Sequence, residues 1–136
     1  MNKIVIAFFI FLINTVLYAE DQSKELDKLF LDLKNIPSKS ANIEQKIWRL
    51  WSTHPSDEKL TSLLDEGSRL VQDQKFYKAI SIFTDAIEID PTWAEAWNKR
   101  ATVFYMVGEF QKSQNDIDKV LALEQRHFGA LAGQGL

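Results

Sequence analysis

Two histidines and two groups of acidic residues are the side chains of this sequence best suited to chemistry. His54 and His127 are the only histidines, and acidic residues cluster at Asp85, Glu88 and Asp90 and again at Asp116 and Asp118. A zinc site built on two histidines needs both in one place, but each lies beside a loop and the helical path of the chain separates them. We therefore expect loop or capping roles for the histidines and solvated helix faces for the acids.

The remaining composition argues against most catalytic chemistry. The chain has 136 residues and no cysteine, so it has no thiolate nucleophile, no disulfide and no cysteine-ligated zinc. No glycine-rich phosphate loop accompanies the acids, and no serine has a histidine at plausible range. A net charge of −3 provides no basic field for nucleic acid. The sequence thus predicts no enzyme: no catalytic residue, no metal site, no cofactor and no nucleic-acid partner.

The N-terminus has the parts of a secretory signal peptide. A charged start that ends at Lys3 is followed by the apolar run Ile4–Ile13. A small residue, Ala19, precedes the polar stretch that begins at Glu20. The apolar run is about 10 residues long, whereas about 20 are needed to cross a bilayer. Residues 1–19 are therefore predicted to be a cleaved signal that directs export to a bacterial periplasm, and the alternative is an uncleaved anchor in the inner membrane.

The rest of the sequence carries apolar residues at helical spacing, without strand alternation of useful length. Six amphipathic segments are predicted as helices, the first of them over Ser23–Asn35, and a seventh begins near Arg126. Capping boxes are expected at Asn42 and Thr92, the second with Glu95 as its acidic member, and Gly108 is a natural helix end. The sequence predicts an all-α protein of three helical hairpins and a fragment of a fourth.

Two of these hairpins repeat with a spacing of 34 residues. The matched pairs are Leu63 and Trp97, Gly67 and Ala101, Leu70 and Phe104, Phe76 and Phe110, Ala79 and Ser113, Phe83 and Ile117, and Ala86 and Val120. The small residues Gly67 and Ala79 predict a close approach of the two helices of one hairpin. An internal repeat of this length indicates a helical solenoid, in which stacked hairpins bury faces that no single hairpin can bury.

This pattern resembles the tetratricopeptide repeat (TPR) family. The first repeat, 60–93, matches the family at Leu63, Gly67, Leu70, Ala79, Phe83, Ala86 and Pro91. The second, 94–127, has Gln125 where the family usually has proline, and it matches at Trp97, Ala101, Phe104, Gly108 and Ser113. The resemblance implies a right-handed superhelix, with 20–59 as a divergent N-terminal capping hairpin and 128–136 as a truncated third repeat. The runs WNKRATVFYMVGEF and LEQRHFGALAG are also similar to small exported, mainly alphaproteobacterial TPR proteins without assigned activity.

In TPR proteins, which mostly bind other proteins, the first helix of each repeat lines a concave groove. The resemblance assigns to this groove Thr61, Leu64, Asp65, Ser68, Gln72, Glu95, Asn98, Lys99, Thr102, Tyr105 and Met106. A clamp for a peptide carboxylate is not expected, because Leu64 and Ser68 occupy the positions of its lysine and first asparagine. Asn98, Lys99 and Tyr105 form a polar patch for an extended peptide or a helix, and the alternative is an ordinary solvated groove.

The C-terminal segment Phe128–Leu136 is expected to be a poor helix. Its glycines, at Gly129, Gly133 and Gly135, each cost about 1 kcal/mol relative to alanine in a helix. They are tolerable only if another helix packs closely on them, so we expect the residues after His127 to be frayed in a monomer. The chain is expected to be shortened relative to its relatives, with self-association through this C-terminal face as an alternative.

The predicted function is a non-catalytic scaffold in the cell envelope that binds another protein or peptide. The alternative is a membrane-anchored assembly factor that retains the N-terminal apolar segment. Two packing expectations accompany this interpretation. Glu66 and Arg100 share a repeat position and are predicted to form a partly buried ion pair. Trp48 and Trp51 are expected to pack on the third helix, with an exposed aromatic contact site as the alternative.

Overall fold

A computed structural model describes the backbone of residues 3–134 and the side chains of residues 16–134. Every regular element in this part of the chain is helical, which confirms the all-α prediction. The elements are α1 (Lys3–Asn35), a 3-10 turn (Pro37–Lys39), α2 (Ser40–Ser52), α3 (Glu58–Gln72), α4 (Phe76–Ile89), α5 (Ala94–Met106), α6 (Phe110–Leu123) and α7 (Phe128–Gly133).

The first helix is longer than the sequence predicts. The apolar pattern placed its start near Ser23, whereas α1 runs without interruption from Lys3 to Asn35. The expected cleavage position after Ala19 falls inside this helix, and Met1 and Asn2 of the expected signal lie outside the described residues. Of the helices that the structure describes, none is both long and apolar enough to span a bilayer.

The chain divides into two compact units, and the first is Met1–Glu58. Within it α1 packs on α2, and the aromatic side chains of Trp48 and Trp51 meet edge to face with ring centres 5.4 Å apart. The amide of Gln22 on α1 donates hydrogen bonds to the carbonyls of Leu50 and Thr53, so it satisfies the C-terminal end of α2. Because α2 already begins at Ser40, the expected capping box at Asn42 does not form.

The second unit, Lys59–Leu136, contains the two 34-residue hairpins. Its main core joins α3, α4 and α5 through Leu60, Leu64, Ala79, Phe83, Ala86, Ile87, Trp93, Ala96 and Val103. Gly67 allows the close approach that the sequence predicts, because a Cβ there would lie 2.3 Å from Phe83 Cε1. In the next hairpin the small residue Ser113 donates a buried hydrogen bond to the carbonyl of Ala101 at 2.8 Å.

The turns inside the two hairpins have the same backbone conformation but different residues. Gly108 follows α5 with φ of +82°, as its predicted role as a helix end requires. One repeat earlier the equivalent residue is Gln74, which adopts φ of +59° although it has a side chain. A non-glycine residue in this region is strained by about 1–2 kcal/mol. The turn between α3 and α4 is therefore less stable than the turn between α5 and α6.

The start of α5 differs from the expected capping box. Asp90 Oδ1 accepts hydrogen bonds from the backbone N–H and the hydroxyl of Thr92, so Asp90 and not Thr92 organises this turn. The helix begins at Ala94 without a side-chain cap. Glu95, the expected acidic member of the box, instead turns into the interior of the second unit.

Candidate functional site

A buried acid–imidazole pair joins α5 to the residue before α7. His127 Nε2 lies 2.9 Å from Glu95 Oε2, and both side chains are fully enclosed, with 0% exposure. Their residues are 32 positions apart in sequence. Because a carboxylate is costly to bury without a partner, this contact favours the packing of α7 on α5.

The hydrogen bonds of His127 determine its tautomer. Its Nδ1 accepts the backbone N–H of Ala130 at 3.3 Å and caps α7, so the proton is on Nε2, which donates to Glu95. His54 similarly accepts the backbone N–H groups of Ser56 and Asp57 on Nδ1. The predicted capping roles of the two histidines are thus confirmed. Within residues 16–134, no three histidine or acidic side chains are grouped so as to hold a metal ion.

Two further side chains of α5 contact the buried carboxylate of Glu95. Asn98 Nδ2 donates to Glu95 Oε2 at 3.2 Å, and Lys99 Nζ lies 3.5 Å from Oε1. An acid beside an imidazole is a common arrangement for proton transfer. Here both groups are sealed from solvent, so no substrate reaches them, and the pair holds helices together.

Helix α7 is present despite the glycine content of its sequence. It extends to Gly133, with the side chains of His127 and Ala130 buried against the rest of the unit. The cap and the buried bond of His127 offset the expected helix cost of the glycines. Gly135, which also entered the expectation, lies outside the described residues.

A second polar contact ties together α4, α5 and α6. Arg100 forms a two-pronged ion pair with Asp116, with nitrogen–oxygen distances of 2.8 and 2.9 Å, and donates to the Thr84 hydroxyl at 3.0 Å. The guanidinium also lies 5.0 Å from the ring centre of Trp97. The sequence predicted an ion pair for Arg100 but named Glu66 as the acid. The acid in the structure is Asp116, on the second helix of the same hairpin.

A cavity of about 230 Å³ opens between α5, α6 and α7. It is lined by Asn98, Ala101, Thr102, Tyr105, Ser113, Ile117, Gly129, Ala132 and Gly133. The Ser113 hydroxyl donates to the Ala101 carbonyl and the Thr102 hydroxyl to the Asn98 carbonyl, so both donors are already used. The volume is below the roughly 300–1,000 Å³ typical of small-molecule sites. The cavity therefore fits one apolar side chain better than a metabolite.

The structure separates the predicted groove residues into two groups. On α5, Asn98, Thr102 and Tyr105 line the cavity, while Met106 is exposed beside it and Lys99 is half-buried. On α3, Asp65 is exposed, Thr61 is half-buried, and half-buried Ser68 donates its hydroxyl to the Leu64 carbonyl. Two predicted groove residues are interior: Leu64 is 2% exposed and Glu95 1%. These two cannot touch a partner, so the accessible surface is narrower than expected.

The other walls of the cavity were not among the predicted site residues. Ala101, Ser113 and Ile117 were assigned to helix packing, and Gly129, Ala132 and Gly133 belong to the segment expected to fray. The 34-residue spacing contains the information needed to find them, because it aligns α7 with the first half of α5. By contrast, no spacing rule links Glu95 to His127.

The paired helical hairpins define a helical-repeat protein, and a small cavity lies among residues of the predicted groove. A TPR repeat-containing protein of Rhizobium etli is 35% identical over 112 residues, which cover 81% of this chain and 54% of that relative. Sperm-associated antigen 1 of Rattus norvegicus is 30% identical over 87 residues, or 60% of this chain and 10% of that protein. The mouse protein of the same name is 29% identical over 87 residues. No protein-family model matches the chain.

These similarities and the hairpin geometry confirm the resemblance of the chain to tetratricopeptide-repeat proteins. The matched segment spans about half the length of the Rhizobium relative and a tenth of sperm-associated antigen 1. The TPR relative supports a role in protein interaction in general.

Proposed function

We propose that this protein is a non-catalytic scaffold that binds a segment of another protein at the cavity between α5 and α7. The observation that carries the proposal is the convergence of three predicted groove residues, Asn98, Thr102 and Tyr105, on one cavity of side-chain size. The TPR relative and the all-helical fold support a binding role over a catalytic one. Tyr105 is 44% exposed at the cavity, which suits an aromatic contact to a partner.

We also propose that the scaffold acts in the cell envelope. The support is the sequence of residues 1–19, with its charged start, short apolar run and Ala19 before the polar region. Mass spectrometry of the N-terminus of protein isolated from the envelope fraction tests this directly. A mature chain beginning near Glu20 supports export as a cleaved protein. An intact N-terminus in the membrane fraction favours the anchored assembly factor, and recovery from the cytoplasm contradicts both.

Affinity capture from the envelope extract with matched variants tests the binding role. The test variant is Tyr105→Ala, and the control is Tyr77→Ala, which removes a tyrosine that is 73% exposed on α4 and does not line the cavity. Lys99 is kept unchanged, because its ammonium lies 3.5 Å from the buried carboxylate of Glu95. We expect Tyr105→Ala to lose at least one specifically captured protein that wild type and Tyr77→Ala both retain. An identical set for all three proteins would contradict binding at the cavity.

A further inference from the structure

The geometry around His127 is possible only for a neutral imidazole. Its Nδ1 accepts the backbone N–H of Ala130 at 3.3 Å, and its Nε2 lies 2.9 Å from Glu95 Oε2. A backbone N–H can only donate, so Nδ1 must present a lone pair. In a doubly protonated ring both nitrogens carry a proton, and the N–H groups of Nδ1 and Ala130 would point at each other. The cap of α7 therefore exists in only one protonation state of the ring.

The charged groups around the ring can hold a protonated His127 in place. On α5, the carboxylate of Glu95 bonds to Nε2, and Lys99 Nζ lies 3.5 Å from the other carboxylate oxygen. Before α7, Glu124 interacts electrostatically with His127 and is paired to Arg126 at 2.9 Å. Protonation at Nδ1 leaves the proton on Nε2, so the bond to Glu95 persists as a charge-assisted hydrogen bond. The added proton thus removes one contact of the ring, the cap, and strengthens the other.

Helix α7 depends on this cap. It has six residues, Phe128–Gly133, whereas an isolated helix shorter than about 12 residues is marginal in water. Ala130, whose N–H the ring accepts, is buried in a cluster with side chains of α5 and α6. Gly129, Ala132 and Gly133 of the same helix line the cavity. Opening of the first turn of α7 therefore changes one wall of the cavity.

We propose that His127 is a pH-sensitive switch: in acid, a proton on Nδ1 releases the first turn of α7 and changes the cavity wall that α7 forms. The inference rests on the proposed scaffold function and specifies how binding at the cavity is regulated. The side chain is fully buried, so the proton enters from solvent when the first turn opens transiently, and it then prevents the cap from re-forming. Because the open state binds a proton that the closed state excludes, opening becomes more favourable as the pH falls. Imidazole changes its charge between about pH 5 and 8, so the switch acts in mildly acidic solution.

Amide exchange measured by NMR on the intact chain tests the switch without any variant. The exchange protection of the Ala130 N–H and the protonation of the His127 ring nitrogens are compared at about pH 7.5 and about pH 5. We expect a neutral ring and a protected Ala130 at the higher pH. At the lower pH the ring should be doubly protonated, and the protection of Ala130 should fall about fivefold, as expected for the loss of a cap. The control is Ala79, whose N–H donates to the Lys75 carbonyl, and its protection should not change.

Two histidine variants assign the response to one ring. In His127→Asn the new side chain can still cap α7 but does not titrate, so the protection of Ala130 should not vary with pH. His54→Asn is the matched control, because it changes the histidine of the first unit, which also accepts a backbone N–H. We expect this control to lose protection at Ala130 in acid as the wild type does.

The results that would overturn the switch are distinct from those that bear on the scaffold. Equal protection of Ala130 at both pH values contradicts the switch, and so does a loss that occurs while the ring stays neutral. An equal loss at Ala79 would indicate unfolding of the whole unit and would also overturn it, as would a response that persists in His127→Asn. The scaffold proposal fails separately, if cavity variants leave envelope capture unchanged.

Discussion

His127 contributes two separate contacts through one ring. Nδ1 caps α7 and Nε2 bonds the buried carboxylate of Glu95. Loss of a hydrogen bond to a charged group costs about 1.5–3 kcal/mol, and Glu95 keeps its contacts with Asn98 and Lys99. We expect His127→Ala to lower the free energy of unfolding by that amount in urea titrations.

The matched control for this prediction is His54→Ala. That ring also accepts backbone N–H groups ahead of a helix, and it belongs to the first unit, away from the contact between α5 and α7. Loss of a cap costs about 1 kcal/mol. Losses of similar size for the two variants would show that the bond from His127 to Glu95 contributes little.

The Arg126–Glu124 ion pair predicts a specific pH dependence. Burial raises the pKa of Glu124, but two-pronged bonding to Arg126 outweighs it and holds the pKa below its ordinary value of 4.5. A depressed pKa stabilises the folded state above the unfolded value, and this stabilisation is lost as the pH falls through the folded pKa. Thermal unfolding of Arg126→Gln should therefore show its largest deficit above pH 4.5 and approach wild type in more acidic solution. A deficit that is constant with pH would contradict this assignment.

At the scale of elements, the turn between α3 and α4 is strained and can be relieved. Gln74 has the positive φ that Gly108 adopts one repeat later, and glycine takes this conformation at little cost. Gln74→Gly should raise the free energy of unfolding by about 1 kcal/mol. The reverse change, Gly108→Gln, should lower it by a similar amount, because no atom lies within 4 Å of an added Cβ and only the backbone matters. Chemical denaturation of the two variants measures both changes in the free energy of unfolding. Changes of the same sign would contradict the prediction.

The close contact of α3 with α4 at Gly67 predicts that a larger residue at this position destabilises the fold. A Cβ on Gly67 would lie 2.3 Å from the Phe83 ring, which is fully buried. Overpacking of this kind typically costs about 1–3 kcal/mol. Gly67→Ala should therefore reduce the unfolding midpoint in urea, whereas Ala122→Ser, at an exposed site on α6, should leave it unchanged. An unchanged midpoint for Gly67→Ala would mean that the helices separate without cost.

Elements that depend on local periodicity were predictable, and those that depend on distant contacts were not. The hairpins of the second unit follow from apolar spacing, and Gly67 and Gly108 have their expected roles. Helix α7 was expected to fray because local propensity counts its glycines and cannot see the bond between His127 and Glu95. Arg100 was likewise given the wrong acid, since the 34-residue register pairs equivalent positions and Asp116 is not one.

At the scale of the whole molecule, the proposed binding site lies at one end of the second unit. The predicted groove residues of α3 lie outside the cavity lining, whereas Asn98, Thr102 and Tyr105 of α5 belong to it. The α5 residues of the cavity were within the predicted groove because the TPR resemblance marks their positions. The α7 side of the cavity could not be predicted from sequence patterns, because it forms only when this short helix packs against the rest of the folded unit.

Site-specific photo-crosslinking in living cells tests this central claim most directly. A photoreactive amino acid replaces Thr102, which lines the cavity, and in a separate control it replaces Tyr77, which is 73% exposed on α4. We predict a discrete crosslinked protein from position 102 that is absent from position 77 and is lost when Ala132→Leu fills the cavity. The account is contradicted if position 102 yields no adduct, or the same adducts as position 77, in cells where the protein is folded and present at normal levels.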